Sequence, residues 1–161
     1  GEPYAANDPH LLRWVHLAEL DSFLTAHDRY GAEPLTGDDR DRYVAEAAVV
    51  ARALGVQSPP ESERGLRDQL RAFRPELRGT PEARDAARYL LLQPPLPLAA
   101  RPAYAMIAGA AVALMPAWTR PPLRLPWLPV TEATTLRAAG EVVTRTIRWA
   151  IPRSPTPTTF A

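Results

Sequence analysis

The chain has no cysteine and no lysine. The first absence excludes disulfides, a thiolate nucleophile, and zinc or iron–sulfur clusters held by cysteine. The second makes every basic residue an arginine, a bias that accompanies abundant alanine and carries no mechanism of its own. An excess of one charge sign is missing too. Nineteen basic and 18 acidic residues leave a formal net charge of +1, which offers no electrostatic case for nucleic acid or an anionic membrane surface. Glycine is sparse at 8 residues, and none of it forms a phosphate-cradling loop of the dinucleotide or P-loop type. The serine elbow G-x-S-x-G is absent. So are an alternating strand pattern of useful length, an internal repeat, and a basic-then-apolar secretory leader at the first residues.

What is present is a globular composition of 161 residues, 46% of them hydrophobic, enough for one domain with a buried core. Nineteen prolines fall between apolar helical segments and read as rigid connectors. Asp8-Pro9 has the cap-then-proline form of a helix start, and the helix it opens runs to a stop at Gly31. Leu12, Val15, Leu20 and Phe23 form its expected apolar stripe, with Leu11 and Trp14 beside it. Thr36 caps a second helix, with Asp38 and Asp39 in its first turn and Gly55 at its end. Tyr43, Ala47, Val50 and Leu54 are its expected inner face. Ser62 opens a third helix, whose stripe is Leu66, Leu70 and Phe73, and Thr80-Pro81 opens a fourth.

After "QPPLPL" a fifth helix covers about Arg101 to Met115. Its surroundings, Pro102 to Trp118, are uncharged but short of the roughly 20 apolar residues a membrane span needs, so a buried helix is the expected reading. "TRPPLRLPWLP" reads as another connector, with Trp127 turned inward. A last helix runs from Thr131 to about Trp149, and residues 151–161 read as a flexible tail. The expected fold is all-α, an orthogonal bundle of about six helices with proline-rich connectors.

Candidate chemistry concentrates in the first helix, which holds all three histidines. His16 and His27 are eleven residues apart, roughly 16 Å along a helix, too far to share one metal. His10 and His16 point to different sides. The acidic clusters "GDDRD" and "PESE" lie at helix starts or in loops, where the helix dipole and solubility account for them. In "RWVH", Trp14 and His16 sit within a strongly apolar helix, where an imidazole needs a partner. Residue chemistry leaves two readings of His16: a buried histidine satisfied by a carbonyl or acid, or a histidine of a cofactor pocket.

The stretch "YAANDPHLLRWVHLAELDSFL" resembles the oxygenase domain shared by the fungal ER-bound MpaB protein and the bacterial latex-clearing rubber oxygenases, in its actinobacterial form. The resemblance rests on Tyr4, Ala6, Asp8, Pro9, Leu12, Trp14, Val15 and His16, then Asp21-Ser22 and a helix ending near Tyr30-Gly31. It continues through "RDRYVAEAAVVARALGV", "LRDQLRAFRPEL", "TPEARDAARYLLLQPPLPLAARP", "LMPAW" and "LPWLP". It implies an all-α domain that holds haem b between helices and acts with dioxygen on a small apolar substrate. By the same resemblance the axial histidine belongs to a His-Ala motif upstream of Gly1, and residues 1–150 are the C-terminal portion of the domain. Asp8, Trp14 and His16 would then line or support the cofactor pocket, Asp8 either capping its helix or holding a ligand imidazole.

The expected location is cytoplasmic, with membrane association or export left open. Two other classes remain open at this point: a helical ligand-binding or regulatory domain, such as the regulatory half of a bacterial repressor, and a non-catalytic structural relative.

Overall fold

The structure, a computed structural model, describes residue 5 and residues 7–125. Every regular element among these residues is helical, in the order α1 (Pro9–Tyr30), α2 (Gly37–Ala53), α3 (Glu63–Phe73), α4 (Pro81–Leu92), α5 (Arg101–Leu114) and α6 (Arg120–Leu123). The fold is all-α. The expected helix at Thr131–Trp149, the placement of Trp127 and the tail at 151–161 lie outside the described residues. The described chain divides between Gly79 and Thr80 into two compact units.

The helix starts follow local chemistry. The Asp8 carboxylate accepts the His10 N–H at 2.8 Å, occupying one of the donors that a helix N-terminus leaves unpaired. Thr36 and Asp39 form a reciprocal capping box. Ser62 accepts from the Gly65 N–H, and Thr80 from the Ala83 N–H. The helix ends are less uniform. Gly55 has φ +94°, a left-handed conformation that glycine adopts at little cost. Gly31 ends α1 with φ −60° and ψ 154°, so the left-handed stop is not used there. Glycine is needed at that position for space: a Cβ would stand 2.4 Å from the His27 carbonyl oxygen and 2.7 Å from its ring.

In the first unit, α1 packs against α2 and α3. Leu17, Leu20 and Leu24 of α1, Val44 of α2, and Leu66 and Phe73 of α3 form one buried cluster, with Trp14, Tyr43, Ala47 and Leu70 packed against it. The α3 stripe is the expected one. The inner face of α1 is the expected one at Leu20 but not at Val15 and Phe23, which are 60% and 54% exposed. Apolar and polar residues are mixed round helix α1, so the pattern alone does not choose its inner side. The face that meets both neighbours, Leu17–Leu20–Leu24, takes the core. On α2 the inner face is Val44, Ala48 and Ala51 with Tyr43 and Ala47 beside it, while Val50 and Leu54 are exposed. Alanines on the inner side let the helices approach closely, and the larger Val50 and Leu54 are left outside.

In the second unit, α4 packs against α5 and α6. The Tyr104 hydroxyl donates to the Leu90 carbonyl at 2.5 Å, and Arg84 Nε donates to the Pro122 carbonyl at 2.9 Å. The segment read as a plain connector contains α6. Pro121 and Pro122 lie in its first turn, where a missing N–H costs nothing. Arg120, only 5% exposed, donates to the Ala113 and Met115 carbonyls at 3.1 and 3.2 Å. Its charge is thereby set at the negative end of α5. In α5, Ala110 and Val112 are buried while Ile107 is 49% exposed. Among the described residues no single helix is long and apolar enough to cross a membrane. Leu98–Leu114 and Ala117–Leu123 reach that threshold only together, with a bend of 107° between them.

Leu17→Ala is expected to cost about 2–5 kcal/mol, as core truncations do. Val15→Ala, two residues away, is expected to stay within about 0.5 kcal/mol. Denaturant unfolding of the two variants checks which face of α1 is buried.

Candidate functional site

Asp8, Trp14 and His16 all belong to the start of α1 but do not converge on one cavity. Asp8 is the helix cap. Trp14 turns toward α3, its ring centroid 5.7 Å from that of Phe73. His16 follows two residues later, roughly 200° further round the helix, so it does not share that side. Its side chain is buried at 9% exposure, and its Nε2 has no hydrogen-bond partner among the described residues.

Burial lowers the affinity of the His16 imidazole for a proton, and the Glu19 carboxylate one turn on offsets this in part. The ring is therefore a neutral base held out of water. Glu19 also acts on Tyr43 of α2, whose phenol is pushed up first by burial and then by that carboxylate. The Glu19 carboxylate thus acts on both His16 and Tyr43. Neither Glu19 nor Tyr43 supplies the hydrogen bond that His16 Nε2 lacks.

The other two histidines lie elsewhere on the helix. His10 Nε2 pairs with Glu76 Oε2 at 2.7 Å, and its ring lies 4.6 Å from that of Phe73. The His27 ring lies where a side chain on residue 31 would go.

A second polar feature lies toward the other end of α1. A cleft of about 260 Å³ is lined by Asp21, Leu24, Thr25 and Asp28 of α1, Arg40 of α2, and Glu63, Leu66 and Arg67 of α3. Arg40 bridges Asp28 and Glu63, the latter at 3.3 Å, and Arg67 reaches Glu63 at 2.5 Å. Asp21 accepts no hydrogen bond among the described residues. Burial raises its pKa, and the Arg67 charge only partly opposes that. Beside the cleft, the Asp41 carboxylate accepts the Glu63 N–H at 2.8 Å, fastening the start of α3 to α2.

Of the acids read from sequence as dipole and solubility residues, Asp39 serves its own helix start, while Asp41 and Glu63 have partners on other helices. Glu61 pairs with Arg52 as well. The signal that marks the cleft is Asp21, Thr25 and Asp28 at one-turn spacing on α1, followed on α3 by Glu63 and Arg67 four apart. Its convergence on Arg40 is a tertiary fact. Among the described residues no three histidine, aspartate or glutamate side chains are grouped to hold a metal ion.

Because His16 binds a proton less readily when folded, its contribution to stability is complete above about pH 6.5. That contribution is lost as pH falls through the ordinary histidine range toward the lower folded value. Denaturation midpoints are therefore expected to fall from pH 7.5 to 5.5, and to fall less in His16→Gln. Equal falls in both proteins would assign the effect to other groups.

Residues 1–149 match the family described as "ER-bound oxygenase mpaB/B'/Rubber oxygenase, catalytic domain". No curated protein and no solved structure matches the chain.

Proposed function

Given that the chain belongs to the MpaB/rubber oxygenase catalytic-domain family, we propose that it works in a haem b-dependent oxygenase that uses dioxygen on a small apolar substrate. The match over residues 1–149 carries this reading, since it spans both compact units and not one motif. It also favours an oxygenase over a regulatory ligand-binding domain, whose helices would look much the same.

His16 fits a supporting role, because its imidazole is neutral, buried and unpaired at Nε2. Asp8 has given its carboxylate to the helix cap, and Trp14 packs against the core, so both support the pocket by fixing α1. The charged cleft does not suit a haem: it lacks an imidazole, five of its eight lining residues are ionisable, and a macrocycle needs an apolar slot. In this reading haem supplies dioxygen chemistry when bound. His16 would offer a hydrogen bond or a packed edge to the pocket rather than hold the iron. The apolar residues of α1 around it keep water away.

His16→Ala in the full-length protein is expected to keep its fold and retain haem. Oxygen consumption with an apolar alkene should fall about 10- to 100-fold, as losses of groups that orient a metal site do. Complete loss of haem with the fold retained would make His16 the ligand, and unchanged oxygen consumption would remove it from the site.

A further inference from the structure

The cleft at the α1–α2–α3 junction contains a carboxylate that the ion-pair network leaves over. Three carboxylates, Asp21, Asp28 and Glu63, face two guanidinium groups, Arg40 and Arg67. Arg40 is committed to Asp28 and Glu63, and Arg67 to Glu63. The network therefore closes without Asp21 and leaves the cleft one negative charge in excess. Asp21 has no donor of its own among the described residues, although it is partly withdrawn from water. A carboxylate in that position is stabilised by anything that brings N–H donors and positive charge.

We propose that this cleft binds a primary ammonium or guanidinium group, held by the Asp21 carboxylate with the Thr25 hydroxyl one turn further along α1. The charge balance decides against an anion, because both guanidinium groups are already engaged. Spacing decides against a metal ion. Asp21 and Asp28 are seven residues apart, roughly 10 Å along the helix, and no three-ligand group is present among the described residues. Size decides against a large ligand: about 260 Å³ lies below the roughly 300–1,000 Å³ of drug-sized pockets. A cation with a few carbons fits, either as a free amine or as the end of an arginine or lysine side chain from another protein. This inference does not depend on the oxygenase reading.

The test is an amide NMR titration of the full chain with n-butylammonium chloride, with sodium chloride and magnesium chloride at matched ionic strength as controls. Saturable shifts are expected at residues 21–28, 40 and 63–67, with millimolar affinity. Asp21→Asn should weaken binding at least about fivefold and Thr25→Val about twofold, with amide dispersion reporting that both variants are folded. Binding should also weaken as pH falls through the raised Asp21 pKa, since the cation needs the charged carboxylate.

An arginine-containing peptide that binds at the same residues much more tightly than butylammonium assigns the group to a protein partner. Comparable affinity assigns it to a free amine. Unchanged affinity in folded Asp21→Asn overturns the proposal. So do shifts that sodium chloride reproduces, or tighter saturation of the same residues by magnesium.

Discussion

The seam where Leu17, Leu20 and Leu24 of α1 meet Val44 of α2 and Leu66 and Phe73 of α3 sets the geometry of the first unit. Burying these side chains supplies the apolar drive, and it also sets the rotation of α1. That rotation turns Trp14 to Phe73 and places His16 about half a turn away, in a buried position where its Nε2 has no hydrogen-bond partner among the described residues. It also brings the polar stripe Asp21–Thr25–Asp28 against Arg40 and Arg67. Were α1 rotated to bury Val15 and Phe23 instead, Asp21 would lose its cleft.

The local features of this fold are legible in the sequence because they depend on a few neighbouring atoms. The Asp8, Thr36, Ser62 and Thr80 caps each need only an oxygen and an N–H two or three residues on, and all four form. The inner faces of α1 and α2 are harder to read. On α1 nearly every side offers an apolar residue, and on α2 small alanines take the inside while Val50 and Leu54 stay out. A hydrophobicity pattern ranks large residues first, whereas close packing of helices prefers small ones. Helix α6 escapes notice for a similar reason: the Pro121-Pro122 pair reads as a breaker until it is placed in a first turn. The cleft is assembled from three helices, so no single stretch reveals it.

The site residues show a parallel division. Asp8, Trp14 and His16 are conspicuous in sequence, and the fold gives them three different tasks: cap, core contact and buried base. Of the three, only His16 has a buried polar atom without a partner among the described residues. An uncompensated polar atom in the interior costs stability, and in an oxygenase-family domain a neutral imidazole is well suited to the edge of a cofactor pocket. The family supplies the reaction class, and α1 supplies the one buried group among the three whose chemistry remains unspent.

The central claim is that the protein functions with haem b. The absorption spectrum of the full-length protein, purified after growth with ample haem and then converted to its pyridine haemochrome, tests this most directly. The account predicts a Soret band and the haemochrome of haem b in stoichiometric amount. A folded, colourless protein that takes up no added haem would contradict it.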